Sequence, residues 1–404
     1  MRRTRGAWKV AALLSASLVL AACNGDSGGS EDAIEVGVVI PLSGPTAGVG
    51  EYIQRGYELA QEEINADGGI DGRDLEFKFG DHAGDPATGA REARTLVQQD
   101  KVVALTGSYE SGVTLVVAQT AEQLKAPYIV PYSSATSITE SGFTYTFRTR
   151  PPLPEWAKTM TDFLTWQADN GGQPVEKVGL LVDGTEYGDT AAAAYEEAAQ
   201  AAGLTVVDKR TLTQGDTNLS AQMTQLRNSG AQAILASTYL ESSMGAIRTL
   251  DSLDWDVPYM TVGSGIVAPA FFDLGELANG VTSTTSWAST IDNEASKKFA
   301  EAYKAKYDAE PTDDAAYAYA AAYLIKEAIE KAGEDADAEA IAETLRTAEF
   351  TSEGANIIPT GGTLKFDEKG QAHPAILMAQ AEDGVWNSVF PEEFASSDYV
   401  PSGG

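Results

Sequence analysis

Short β-branched apolar runs alternate with amphipathic helical stretches along nearly the whole chain, and that alternation restricts what it can fold into. Ile34–Ile40 (IEVGVVI) is apolar at nearly every position, the pattern of a strand buried on both faces of a parallel sheet. Residues 50–67 then place Ile53, Tyr57, Ala60 and Ile64 at helical spacing, and the pattern stops at Gly68-Gly69. The same reading predicts strands over 75–79, 102–105 and 127–131, with helices over 85–99 and 112–124 between them. After the proline cluster Pro151, Pro152 and Pro154 the rhythm resumes, with strands predicted over 178–182, 205–209, 233–236 and 259–262. Helices are predicted over 190–202, 219–228 and 243–250, and two long ones over 294–307 and 315–332. This order predicts an α/β fold of doubly wound parallel sheets with right-handed crossovers. In such open sheets a ligand sits at the carboxyl ends of the strands, so the residues that follow each strand are the ones to search.

The amino-terminal end bears on the compartment. Arg2, Arg3, Arg5 and Lys9 precede an apolar run, Val10–Leu20, that is shorter than the roughly 20 residues a spanning helix needs. It has the make-up of a secretory signal peptide over residues 1–22. Leu20-Ala21-Ala22-Cys23 resembles a bacterial lipobox, which implies cleavage before Cys23 and acylation of its sulfur and new amino group. The alternative is a free thiol behind an ordinary signal peptide. Cys23 is the only cysteine, so no intramolecular disulfide can form. Residues 23–33 read as a flexible polar linker, and 394–404 as a polar tail. The body between them is long enough for two domains. With 28 Lys+Arg against 59 Asp+Glu, the net charge of −31 excludes nucleic acid as a partner.

Several segments in fixed order carry a family resemblance. They are Val36–Pro45 (VGVVIPLSGP), residues 64–72 (INADGGIDG), 81–86 (DHAGDP), Ser133-Ser134-Ala135-Thr136, Phe147-Arg148-Thr149, 183–188 (DGTEYG) and 366–370 (FDEKG). Together they resemble the leucine/isoleucine/valine-binding protein family, the solute receptors of ABC importers with the type I periplasmic-binding fold. The resemblance runs from about Ile34 to Val389. It implies two lobes joined by a three-crossing hinge near Arg150-Pro151, 282–286 and 363–366. Lobe one would take residues 34–150 and 285–362, lobe two 151–283 and 364–393, and hinge closure would trap the solute. The partners it implies are a small-molecule solute, the ABC permease and ATPase subunits, and the membrane through the lipid anchor.

The candidate solute residues follow strand ends. Ser111 opens the helix predicted from Gly112; its hydroxyl can cap that helix, and the resemblance gives it the solute carboxylate. The resemblance also assigns backbone groups around Ser134 and Ala135, and the Thr136 side chain, although Ser and Thr suit turns in any case. Tyr187 matches a tyrosine that closes over the solute from the opposite lobe, and Tyr239 has a similar position; core packing would suit both equally. Tyr109 lies beside Ser111 and would line the apolar part of the pocket. One departure bears on the solute. Members that bind branched-chain amino acids carry an acid after the strand at 259–262 to pair the ammonium group, whereas here Gly263-Ser264-Gly265 follows. Either another acid takes that role, with Glu110 and Glu241 nearest, or the solute lacks an α-ammonium group.

No catalytic apparatus stands out. The two histidines, His82 and His373, are far apart and fit no zinc spacing, and His82 reads as a loop residue near a helix start. The chain holds no G-x-S-x-G, Walker or H-E-x-x-H motif. The reading is therefore a binder and not an enzyme, without cofactor or metal. A sensor that reports its ligand to a membrane kinase, or a receptor for urea, an amide or an aromatic acid, would share the same pocket.

Overall fold

The computed structural model describes residues 33–263, 266–334 and 336–401. The signal peptide, Cys23 and most of the linker lie outside the described residues, as do Ser264 and Gly265 and the last three residues of the tail. The amino-terminal half alternates without interruption: β1 (Ile34–Ile40), α1 (Ala47–Ala66), β2 (Leu75–Asp81), α2 (Pro86–Gln98), β3 (Ala104–Gly107), α3 (Ser111–Leu124), β4 (Tyr128–Val130), α4 (Ser137–Glu140) and β5 (Thr146–Arg148). These strands form one parallel sheet in the order β2-β1-β3-β4-β5. β1 is buried over six of its seven residues, as expected of a strand covered on both faces.

A second unit follows: α5 (Leu153–Asp169), β6 (Lys177–Asp183), α6 (Glu186–Ala201), β7 (Thr205–Leu212), α7 (Ser220–Asn228), β8 (Ala233–Ser237), α8 (Leu240–Ser252) and β9 (Tyr259–Thr261). Its strands are also parallel, in the order β7-β6-β8-β9. Both sheets thus reverse direction beside their first strand, which places a topological switch point at β1/β3 and another at β6/β8. Each sheet has apolar cores on its two faces, around Val36, Tyr57 and Ile129 and around Leu105, Val117 and Tyr128 for the first. The second is packed around Leu180, Trp156 and Tyr195 on one face and Leu181, Met223 and Ile234 on the other.

The rest of the chain serves both units. β10 (Thr282–Thr285), β11 (Leu377–Glu382) and β12 (Val385–Phe390) form a three-stranded antiparallel sheet beside β9. Between β10 and β11, α9 (Glu294–Tyr307), α10 (Asp313–Ala332) and α11 (Ala338–Thr347) return to the first sheet. α10 crosses α1 so closely that a Cβ on Gly56 would lie 2.3 Å from the Ala315 carbonyl oxygen. The expected two parallel-sheet lobes are present. The antiparallel hairpin β11–β12, α5 and α11 are additions that the periodicity did not disclose. No helix among the described residues is long and apolar enough to cross a membrane.

Candidate functional site

The carboxyl ends of the two parallel sheets meet at a small cavity of about 20 Å³ lined by Tyr109, Ser111, Tyr132, Ser133, Ser134, Tyr187, Thr238 and Tyr239. That is room for about one water, so the two sheets stand closed on each other here. A larger, mainly apolar recess of about 460 Å³ lies between Phe272, Trp287 and Trp386. It lacks the paired ends of parallel strands, and the smaller cavity is where the switch points place a ligand.

The first wall is built by a strained turn. Gly107 and Ser108 close β3 at φ of +106° and +57°, and a Cβ on Gly107 would lie 2.5 Å from the Val39 carbonyl oxygen. Ser108 tolerates its left-handed conformation inside a bonded cluster, where its Oγ accepts a hydrogen bond from the Tyr128 hydroxyl at 2.7 Å. The turn delivers Tyr109 and Ser111 to the cavity. Ser111 is the first residue of α3 and does not cap it; Glu110 is the N-cap residue, with extended backbone angles and no side-chain cap bond. The expected capping role is therefore corrected, because the turn at Ser108 starts the helix one residue earlier. The Ser111 hydroxyl lies at the positive end of α3, where an anion is favoured.

Ser133 and Ser134 come from the loop after β4. Ser133 Oγ donates to the Tyr109 carbonyl at 2.9 Å, and Arg148 holds the loop from behind. The fully buried Arg148 guanidinium donates to the Ala135 carbonyl at 2.5 Å, to Thr139 Oγ1 at 3.0 Å and to Gln371 Oε1 at 2.5 Å. Burial lowers its pKa to about 9, which still leaves it charged at neutral pH. Ala135 is buried within this loop, and Thr136 is half-buried at the N-cap position of α4. Neither is on the wall of the closed cavity.

The opposite wall comes from the second sheet. Tyr187 is in the first turn of α6, and Thr238 and Tyr239 follow β8. The rings run continuously across the cleft: Tyr187 lies 5.8 Å from Tyr239, and Tyr239 lies 5.9 Å from Tyr109. Burial raises the pKa of the Tyr187 and Tyr239 hydroxyls, so both are protonated donors at neutral pH. One direct bond also spans the cleft, from Ser137 Oγ to Glu186 Oε1 at 2.8 Å. Tyr132, Ser133 and Thr238 were not foreseen as wall residues. Their signal was their place directly after β4 and β8.

The two acids considered for a charged role differ. Glu241 is exposed. Glu110 is buried, accepts a hydrogen bond from Thr46 Oγ1 at 2.5 Å, and has its pKa raised by burial. It faces away from the cavity toward His82, whose Nε2 is 3.6 Å from Glu110 Oε2, beyond hydrogen-bond range. His82 lies in the loop before α2, where the sequence places it, and is wholly buried; its Nδ1 accepts from the Gly84 N–H at 3.0 Å, so the neutral ring carries its proton on Nε2. Burial lowers the His82 pKa from 6.5 to about 4. Between those two values the unfolded chain binds the extra proton, so this contribution is complete above pH 6.5 and is lost as the pH falls toward 4. His82→Gln should flatten that part of the stability profile by about 3 kcal/mol at most. Denaturant midpoints measured for both proteins between pH 4 and 8 would test this, and parallel profiles would contradict it.

Behind the cavity, at the passage from β5 to α5, lies a buried ion pair. Arg150 Nη2 is 2.9 Å from Asp313 Oδ2, and both side chains are fully buried. The Arg150 guanidinium also stacks 4.7 Å from the Tyr317 ring centre and 5.1 Å from that of Trp156. No group of three or more His, Cys, Asp or Glu among the described residues is arranged to hold a metal ion.

Comparison with known proteins fits this geometry. Residues 33–385 match the family model described as periplasmic binding protein. A curated relative, Leu/Ile/Val-binding protein homolog 8 of Brucella melitensis biotype 1, is 30% identical over 374 residues, 90% of this chain and 91% of that protein. Among solved structures, the branched-chain amino acid transporter substrate-binding protein LivJ of Streptococcus pneumoniae, in complex with isoleucine, superposes with a TM-score of 0.78 at 25% identity. It covers 89% of this chain and 100% of its own. A solute-binding protein from R. palustris in complex with benzoate has a TM-score of 0.79 at 20% identity, covering 91% and 98%, and shows the shared fold.

Proposed function

This chain belongs to the periplasmic binding protein family and is an extracytoplasmic solute receptor, and we propose that it serves an ABC importer by closing its lobes over an amino acid or a related small carboxylate or amide. The observation that carries this reading is the cavity itself. Two parallel sheets bring their switch points together, one wall offering the hydroxyls of Ser111 and Ser134 at a helix start and the other a tyrosine pair. Hydroxyls and helix-terminal N–H groups suit a carboxylate or amide oxygen, and the rings suit an apolar remainder. The curated relative named as a Leu/Ile/Val-binding protein homolog and the neighbour in complex with isoleucine support the same solute class.

We assign lobe one to residues 34–150 and to the helices of 285–362, and lobe two to 151–283 and the hairpin β11–β12. Leu364, Phe366, Ala372 and Leu377 pack into the first lobe's core while Ile376 and Met378 pack into the second's. These contacts favour a third crossing between Ala372 and Met378, later than 363–366. Acylation of Cys23 would tether the body to the membrane surface through the polar linker, and intact-mass measurement of the membrane-extracted protein tests it. We read the site as binding without turnover, since its wall holds no histidine or cysteine beside the serines.

Thermal-shift titration with amino acids, amides, urea and small aromatic acids should find at least one solute that raises the midpoint. With that solute, Tyr187→Ala should lower affinity about 10- to 100-fold, from loss of a buried hydrogen-bonding ring, while the protein stays folded. Calorimetric titration reads this directly, and an unchanged Kd in the variant would place the pocket elsewhere.

A further inference from the structure

Asp183 ends β6 and has no exposed surface, and neither of its carboxylate oxygens has a hydrogen-bond partner. No other carboxyl among the described residues has both oxygens in this condition. Asp313 is paired with Arg150, Glu110 with Thr46, and Asp81 accepts the N–H groups of Leu42, Ser43 and Ala83. A buried carboxylate left alone is costly: it either takes up a proton or stands ready for a partner that is absent from the folded chain. Burial does raise the Asp183 pKa; the neighbouring Thr185 hydroxyl pulls the other way but is itself without a hydrogen bond.

Its position points to where that partner comes from. The register of β6 against β8 pairs Val182 with Ser237, which sets Asp183 beside Thr238 at the carboxyl edge of the sheet. The first turn of α6 folds back over Asp183, so that Tyr187 stands next to it. Thr238 and Tyr187 are both cavity walls, so Asp183 is bracketed by wall residues on two adjacent strand ends. Its charge acts on the Tyr187 and Tyr239 hydroxyls. The buried Arg150, whose charge reaches Tyr187, is committed to Asp313. The closed cavity of about 20 Å³ is far too small for an organic solute, so a solute enters only when the lobes part, between walls of which Tyr187 and Thr238 adjoin Asp183.

We propose that Asp183 is the counter-charge for a cationic nitrogen of the solute, which makes the receptor one for an α-amino acid. This rests on the solute-receptor reading above and deepens it. The carboxylate end of the solute meets Ser111 and Ser134 on the first wall, and its ammonium group meets Asp183 on the second, so that both charges are bound only when the lobes close. The carboxylate absent after β9 is thereby replaced from a neighbouring strand of the same sheet.

The test compares solutes that differ only in the ammonium group. The wild-type protein is titrated calorimetrically with the twenty common L-amino acids, and each that binds is compared with its deaminated acid, such as L-leucine with 4-methylpentanoate and L-phenylalanine with 3-phenylpropanoate. Wild type should prefer the amino acid, and Asp183→Asn should lose about 30- to 1,000-fold in affinity for it, the usual consequence of removing one partner of a buried charge pair. The affinity of Asp183→Asn for the deaminated acid should change less than about threefold, since that solute places nothing against the carboxylate. Equal amino-acid affinity in wild type and Asp183→Asn overturns the assignment. So does a wild type that prefers the deaminated acid, an outcome that leaves the receptor reading intact and needs no variant to fold. Binding of neither class by wild type also overturns the Asp183 assignment, and the amide, urea and aromatic-acid arms of the thermal-shift titration then decide the receptor reading on their own.

Discussion

Arg150→Met should lower the stability of the folded protein by about 3–5 kcal/mol, the usual cost of removing one member of a buried ion pair. The guanidinium is fully buried, bonds Asp313 at 2.9 Å and lies between the rings of Trp156 and Tyr317. Methionine fills much of the same volume but leaves Asp313 and its neighbour Asp314 buried without the positive charge that now opposes their protonation. Burial already raises the pKa of both acids, and the loss of Arg150 raises it further. The folded variant then holds protons that the unfolded chain releases, so its deficit should grow as the pH rises from 4 toward 8. Urea midpoints at the two pH values, at unchanged m, measure both effects. Asp313→Leu combined with Arg150→Met should recover part of the loss, because one of the two uncompensated carboxyls is then removed and Asp314 no longer has a like charge beside it. The position gives the effect functional weight. The Arg150 carbonyl accepts from Gln371 Nε2 at 2.9 Å, and Gln371 Oε1 accepts from Arg148 Nε, so the segment after β5 is tied to the segment that precedes β11. A variant as stable as wild type at pH 8 would show that the pair contributes nothing to holding the fold.

The parts of the fold that could be read in advance are those where periodicity and burial coincide. Ile53, Tyr57, Ala60 and Ile64 were legible as one face of α1, and all four are buried in the first core. α5 was not, because Pro151, Pro152 and Pro154 read as a break; Pro152 is in fact the N-cap residue and Pro154 falls in the first turn, where a missing N–H is harmless. The β11–β12 hairpin had a legible signal in Asp383-Gly384, both at positive φ between two apolar runs, which is the preferred two-residue turn. An antiparallel hairpin falls outside the βα alternation that the rest of the chain follows. The cavity was found by the strand-end argument in Ser111, Ser134, Tyr187, Tyr239 and Tyr109. What could not be read was partnership. Glu110 and Glu241 look equivalent in a sequence, yet one is buried against Thr46 and the other is exposed. Asp183 stands in the family-like segment 183–188, but the lack of a hydrogen-bond partner for its carboxylate emerges only when its surroundings are assembled in space.

Gly188→Ala should weaken solute binding about 10- to 100-fold, with a stability loss of about 1–3 kcal/mol from overpacking. A Cβ at Gly188 would lie 1.7 Å from the Asp183 carbonyl oxygen and 2.9 Å from its backbone nitrogen, so the first turn of α6 cannot keep its place on the end of β6. Both atoms in the way are backbone of a central strand, and the helix end is the part that yields. That helix end carries Tyr187, which walls the cavity, and Glu186, which takes the cross-cleft bond from Ser137. A shift there degrades the pocket and the closed state together, while the sheet and its cores remain. The comparison that isolates this mechanism is Gly112→Ala in α3, beside Ser111. A Cβ there meets nothing within 4 Å, and the position is helical without a positive φ. Alanine at Gly112 should leave affinity unchanged and raise stability by about 0.4–1 kcal/mol through the unfolded chain. The two substitutions make the same chemical change at helix starts on opposite walls of one cavity, so the difference between them reports the close approach of α6 to Asp183. Equal Kd values for the two variants would mean that the seating of α6 on β6 does not position Tyr187.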